Sequence, residues 1–227
     1  MKAFRSQGKY TWNGEEYPSV TTILSVIAKP ALVYWAGKVV AEEAVRRVSA
    51  GEELDVRSLA STPNKRRGDK ADVGSIVHSV LEAYADGEQV APEQVPSDAR
   101  SYVCSLREWL AEHNAEVLHS EATVIHQEPR YAGTVDAVMR LNGKTLLVDV
   151  KTGKGVYKEA GLQLAAYRYA DFIGYADGSS EKMPEVDGAM VLHVTPDGTT
   201  DVPFPADRET HKVFLAALTL WEYVNQK

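Results

Sequence analysis

The hydrophobic positions of this chain repeat at helical spacing up to about residue 114 and become strand-like from about residue 121. Ahead of the helical part, Lys9 to Tyr17 reads as a small hairpin with Asn13-Gly14 as its turn. Pro18-Ser19 opens the helical region, with Ser19 as its N-cap. Residues 19–48 keep helical spacing, broken near Lys29-Pro30, and a polar stretch follows from about Gly51 to Lys70. The clearest helix spans 71–86, where Val73, Ile76, Val77, Val80, Leu81 and Tyr84 make one apolar stripe. A further helix is expected from Ser97 to Asn114. Strand signals cover Glu121–His126, Ala132–Leu141 and Thr145–Thr152. A helix over about Glu159–Tyr175, two strands in Glu185–Pro205 around Pro196-Asp197-Gly198, and a last helix from about Asp207 to Val224 complete the chain. The order is helices, sheet, helix, hairpin, helix, which predicts an α/β fold of the α+β kind with a mixed sheet.

Composition narrows the chemistry. The 227 residues suit one domain, with about 1–70 as a hairpin and helical elaboration and about 71–227 as the core. Cys104 is the lone cysteine, so an internal disulfide, a thiolate zinc site and a four-cysteine iron–sulfur cluster are excluded within one chain. The N-terminus lacks the apolar run of a signal peptide and no stretch suits a membrane span, so a cytoplasmic protein without a membrane partner is expected. The net charge of −7 argues against a general nucleic-acid coat, which needs a basic surface. It leaves room for an enzyme with a local basic track whose carboxylates are offset by bound cations.

The sharpest chemical signal lies between Gly133 and Lys151. Asn142-Gly143 separates two strand-like runs and favours a two-residue type I′ turn. With those two residues as the loop, Leu141 faces Lys144. Met139 then faces Leu146, Ala137 faces Val148 and Val135 faces Val150, all on one apolar side. On the other side Val138 faces Leu147, Asp136 faces Asp149 and Thr134 faces Lys151. Two carboxylates placed directly opposite would have Cβ atoms roughly 4.5–5.5 Å apart, which destabilises a sheet unless a cation neutralises them. Mg²⁺ takes such oxygen ligands together with water and phosphate. Lys151 projects from the Asp149 face and can reach water or a phosphate oxygen. A β-bulge would break this register.

These residues also carry a resemblance. Gly133-Thr-Val-Asp136, Val148-Asp149-Val150-Lys151-Thr152-Gly153 and Gln163-Leu-Ala-Ala-Tyr167 resemble the signature of RecB-like nucleases in the PD-(D/E)XK superfamily, of the phage-type exonuclease branch. Gly74-Ser-Ile-Val-His78 is similar to that family's histidine motif. Tyr17-Pro-Ser-Val-Thr-Thr-Ile-Leu24 and Lys29-Pro-Ala-Leu-Val-Tyr-Trp35 are similar to the N-terminal segment of phage-type members. The resemblance implies a restriction-endonuclease-like core, a central mixed sheet flanked by helices, with a helical N-terminal region. It implies a Mg²⁺ or Mn²⁺ site formed by His78, Asp136, Asp149 and the Val150 carbonyl. Asp136, Asp149 and Lys151 would be catalytic, with Gln163 and Tyr167 orienting Lys151 or contacting DNA. The products would carry a 5′-phosphate and a 3′-hydroxyl. Relatives with an iron–sulfur cluster use four cysteines, so none is expected here.

Other residues enter with weaker arguments. Gly74, His78 and Glu82 share a helical ridge, which makes Glu82 a candidate acid beside its plain reading as a solvated residue. Glu121 is expected to begin the strand before the hairpin, as a further acid or a strand-end charge. Lys65, Arg66, Arg67 and Lys70, and Lys154 and Lys158, are candidate phosphate contacts, or solvated basic residues. His113, His119, His126, His193 and His211 match no motif and read as structural or surface residues. No Walker loop, zinc-finger spacing or helix suited to base readout is present. The expected function is therefore a metal-dependent nuclease acting at single-stranded or duplex DNA ends in recombination or repair, in a phage or mobile-element setting. A recombination or single-strand-binding protein would be a natural partner. A structure-specific endonuclease and a non-catalytic nucleic-acid-binding module are the alternatives. Polarity, metal number and oligomeric state are open.

Overall fold

The computed structural model describes residues 4–6, 8–175 and 177–225, with the side chains of 4–6, 67 and 69–71 outside the description. Its elements run β1 (Phe4–Ser6), β2 (Lys9–Trp12), β3 (Glu15–Pro18), α1 (Val20–Ile23), α2 (Pro30–Ala50), α3 (Val56–Ala85), α4 (Arg100–Glu112), β4 (Glu116–His126), β5 (Tyr131–Leu141), β6 (Lys144–Lys151), α5 (Glu159–Arg168), β7 (Phe172–Gly174), β8 (Ser180–Lys182), β9 (Gly188–Thr195), β10 (Gly198–Phe204) and α6 (Arg208–Asn225). Among the described residues no single helix is long and apolar enough to cross a membrane.

The chain divides into two compact units, Ile27–Ser75 and the remainder. The smaller unit holds α2 and the first part of α3. Ion pairs link its residues: Glu43 accepts from Arg46 and Arg47, and Arg66 pairs with Glu42. Composition hid this part of α3, which was expected to be a polar stretch. Asp55 starts the helix by accepting the Ser58 N–H at 2.7 Å. Its residues from 56 to 72 are exposed or half-buried where described, and a helix solvated on most faces carries no apolar period.

The larger unit is built on a seven-stranded sheet in the order β10-β9-β6-β5-β4-β7-β8. β6 and β9 run parallel while the other neighbours are antiparallel, so the sheet is mixed as expected. On one face Ala137, Met139, Val148 and Val150 pack with Val77, Val80 and Leu81 of α3 and with Leu106, Trp109 and Leu110 of α4. The alternation of β6 turns Leu147 and Asp149 to the other face, where α5 lies. A separate small sheet, β1-β2-β3, places Tyr10, Trp12 and Tyr17 against Ile125 and Ala132. Its β2–β3 turn is the expected Asn13-Gly14, with both residues at positive φ.

Three expectations are corrected here. The helix from Glu159 stops at Arg168 rather than near Tyr175. Phe172–Gly174 pairs instead with Thr123–Ile125, and Asp171 accepts the Gln127 N–H at 2.7 Å. That apolar run is buried by a sheet edge, which helical spacing could not foretell. Glu121 does not begin its strand: β4 starts at Glu116, and Glu121 sits mid-strand at φ 47°. The β5–β6 register holds from Leu141↔Lys144 to Ala137↔Val148, but the ladder ends there, one pair short of Asp136 and Asp149. The expected direct pairings of Asp136, Val135 and Thr134 with Asp149, Val150 and Lys151 are not part of it.

Candidate active site

The end of that ladder creates the site. Where β5 and β6 cease to bond each other, the Val150 N–H turns to the side chain of Asp136 and donates to Oδ2 at 2.7 Å. Asp136 is 9% exposed and Asp149 2% exposed, so the hairpin brings two carboxylates into the protein interior. Burying an ionised carboxylate is costly unless it is paired and hydrogen-bonded. Asp149 is paired only in part. Its Oδ1 accepts from Lys151 Nζ and from Gln163 Nε2, both at 2.8 Å. Its Oδ2 lies 2.6 Å from the same ammonium but makes no hydrogen bond. The ammonium thus offsets the charge of Asp149, while Oδ2 keeps lone-pair capacity that a bound cation could use.

His78, from α3, joins the carboxylates with both ring nitrogens engaged. Nε2 lies 3.3 Å from the Val150 carbonyl oxygen and 3.6 Å from Asp136 Oδ2. Nδ1 lies 3.2 Å from Glu121 Oε1. Glu121 takes a positive φ of 47° in the middle of β4, where it reaches His78. It occupies the place across from Asp136, between the pairs Ser120↔Ala137 and Ala122↔Val135. One donor atom each from His78, Glu121 and Asp136 falls within 4.8 Å of the others, which suits a metal ion. Burial alone would lower the His78 pKa, but the Glu121 hydrogen bond and the charges of Asp136 and Glu121 outweigh it and hold it at about 9. Asp136 is pushed above the usual carboxylate range by burial first and by the charge of Asp149 second. The site thus holds extra protons when no cation is present.

α5 supplies the next layer. Gln163 donates to Asp149 Oδ1 and, at 3.3 Å, to the Tyr167 hydroxyl. The Tyr167 ring packs against Gly133, where an added Cβ would come 2.2 Å from Tyr167 Cε1. Gly133 therefore belongs to the site for its lack of a side chain. Next to it, Thr134 Oγ1 is 2.8 Å from the hydroxyl of Tyr10 on β2. A cavity of about 160 Å³ opens here, with His78, Glu121 and Asp136 on one side and Tyr10, Thr21 and Gln163 among its other walls.

Sequence reasoning placed His78, Asp136, Asp149, Val150, Lys151, Gln163 and Tyr167 in one constellation, and they are brought together. Gln163 reaches Asp149, where contact with Lys151 or DNA had been expected. Glu82 is exposed and does not line the cavity. Lys154 and Lys158 are exposed on the connection from β6 to α5. Lys65 is exposed in the smaller unit, and Arg66 is committed to Glu42. The side chains of Arg67 and Lys70 lie outside the described residues. Tyr10 gave no sequence signal; the glycine opening Gly133-Thr-Val-Asp136 was a visible one, but its partner Tyr167 is 34 residues away. His193 donates from Nε2 to the Gly153 carbonyl at 2.7 Å, a structural role as expected.

A family model described as the PD-(D/E)XK nuclease superfamily matches residues 51–199. No curated protein matches the chain. Among solved structures the chain is similar to the crystal structure of SSO0001, at 16% identity and a TM-score of 0.39, over 99% of this chain and 80% of the other.

Proposed function

The chain belongs to the PD-(D/E)XK nuclease superfamily, and on that premise we propose that it is a metal-dependent deoxyribonuclease, an exonuclease of the RecB-like branch serving recombination or repair. One observation carries the reading: donor atoms of His78, Glu121 and Asp136 converge within 4.8 Å of one another, on the hairpin that also buries Asp149 and carries Lys151. A divalent cation fits that set of donors. His78 Nε2, Asp136, Asp149 and the Val150 carbonyl are the groups that would hold it, and their mainly oxygen donors fit Mg²⁺ or Mn²⁺. Glu121 takes the Nδ1 side of His78 and so holds the ring with Nε2 on the side of Asp136 and the Val150 carbonyl, where it would be available to a cation.

A divalent cation supplies Lewis acidity, making water a stronger nucleophile and the phosphate a better electrophile. The protein's own groups do the rest. Lys151, half in solvent and bonded to Asp149, presents its ammonium to a substrate phosphate and to the attacking water. Gln163 keeps Asp149 from rotating by donating to Oδ1, and Tyr167 packed on Gly133 keeps Gln163 in place.

Action at DNA ends is supported by the narrow cavity and by the acidic balance of the chain, since broad duplex binding depends on many phosphate contacts. The test compares linear DNA with covalently closed circles of the same sequence, with Mn²⁺, with Mg²⁺ and with chelator. Metal-dependent loss of the linear form with circles untouched is expected, and Asp149→Ala and Lys151→Ala should abolish it while folding normally. Nicking of circles would overturn the exonuclease assignment, and cleavage by pure Asp149→Ala would overturn the site.

A further inference from the structure

We propose that the connection from β6 to α5 is a stacking platform for an unpaired nucleotide, with Tyr157 as the stacking ring and Lys154 and Lys158 as its phosphate contacts. This rests on the nuclease reading and adds a substrate class to it. Tyr157 stands midway in sequence between Lys151 and Gln163, so both ends of its connection are anchored in the site. Its ring is 65% exposed, although its backbone is fixed: the Tyr157 carbonyl accepts the Ala160 N–H and the Lys158 carbonyl accepts the Gly161 N–H, both at 3.0 Å. The other end of the connection is held by the bond from His193 to Gly153. An exposed aromatic on a fixed backbone loses little freedom when something stacks on it.

Two further observations point to a ligand. Gly153 and Gly155 have no left-handed φ, and an added Cβ at either would meet nothing within 4 Å. The backbone at both positions is therefore open to approach by a strand lying along the connection. The charge is also local. In a chain of net charge −7, the connection itself, residues 152–158, holds Lys154 and Lys158 and no carboxylate. Exposed lysines on the same short connection as an exposed ring match a nucleotide strand, whose bases offer stacking faces and whose phosphates offer charge. Bases inside a duplex are already stacked, so the platform selects an unpaired end.

The test uses the whole protein with a short single-stranded DNA carrying 2-aminopurine, in chelator so that binding is read without cleavage. A blunt duplex serves as the comparison. Wild type should quench the 2-aminopurine and prefer the single strand. Tyr157→Ala should bind at least about fivefold more weakly and lose the quenching, while Tyr157→Phe keeps both. In a paired cleavage assay with Mn²⁺, Tyr157→Ala should raise KM with kcat nearly unchanged. Replacing Lys154 and Lys158 by Gln should flatten the salt dependence of binding by about 1.4 in log–log slope, from about 0.7 per phosphate contact. Unchanged binding and quenching in Tyr157→Ala would overturn the platform and leave the nuclease assignment standing. Tyr157-dependent binding by a wild-type protein that never cleaves would support the platform and remove the nuclease assignment instead.

Discussion

The Asp136 carboxylate takes the hydrogen bond from the Val150 N–H that a continued β5–β6 ladder would have left to backbone. One side chain thus ends the pairing of two strands, satisfies the freed amide and faces His78 with the same oxygen. It also sits buried near a second carboxylate. Structure and function pull against each other at this residue. Without metal, Asp136→Asn should keep an acceptor for Val150 while removing a buried charge, and so raise stability by about 1 kcal/mol, or about 2–4 °C in Tm. Asp136→Ala should lie about 1–3 kcal/mol below Asp136→Asn, because the Val150 amide is left unsatisfied. Urea unfolding of the three proteins in chelator gives the order, and an Asn variant no more stable than wild type would contradict it.

Metal should reverse that order. A cation that binds only the folded state raises stability by linkage. Millimolar Mn²⁺ should lift the wild-type melting temperature by several degrees and leave Asp136→Asn nearly unmoved. A flat wild-type response in differential scanning fluorimetry would speak against a preformed site.

Glu121 is expected to act through His78. Glu121→Gln can still accept a hydrogen bond but loses the charge that favours Nδ1–H, so metal affinity should fall about 10- to 100-fold with the fold intact. Excess Mn²⁺ should restore cleavage. Failure of rescue at saturating metal would place Glu121 in the chemistry instead.

Gly133→Ala tests the packing behind Asp149. The new methyl would meet the Tyr167 ring at 2.2 Å, and Tyr167 is buried, so the ring has little room to yield. Overpacking of this kind costs about 1–3 kcal/mol. Displacing Tyr167 also displaces Gln163, so kcat should fall at least tenfold. Wild-type stability and rate in this variant would show that the ring has room to move.

Acid should loosen α6 through two histidines. His211 is held down at about 4, by burial first and then by His126 and Arg208, and His126 is lowered by burial against the pull of Asp171. Tyr131 gives its proton to the Ala166 carbonyl, and its oxygen is 2.9 Å from His211 Nε2. The folded state therefore binds fewer protons than the unfolded chain, whose histidines titrate near 6.5. Their contribution is complete above about pH 6.5 and is lost as pH falls toward 4. Unfolding free energies at pH 7.5, 6 and 4.5 should drop more steeply for wild type than for His211→Gln. Parallel curves would dismiss the two histidines as the cause.

The sequence by itself determined the local chemistry. Asn142-Gly143 set the register of the central hairpin, and period-two alternation put Asp149 and Lys151 on one face and Val148 and Val150 in the core. The helical stripe of Val77, Val80 and Leu81 likewise announced the element that carries His78. These were readable because a turn type and a side-chain period act over a few residues. Tertiary structure alone decided where the hairpin stops pairing, since that depends on the Asp136 side chain outcompeting backbone for one amide. It alone carried Glu121 to His78, through a left-handed residue in the middle of β4 that no alternation encodes. It also ended α5 at Arg168, because an open edge of β4 could bury Phe172 and Ile173 better than another helical turn. In each case the deciding partner is distant in the chain, so its contribution to the free energy is absent from any local window of sequence.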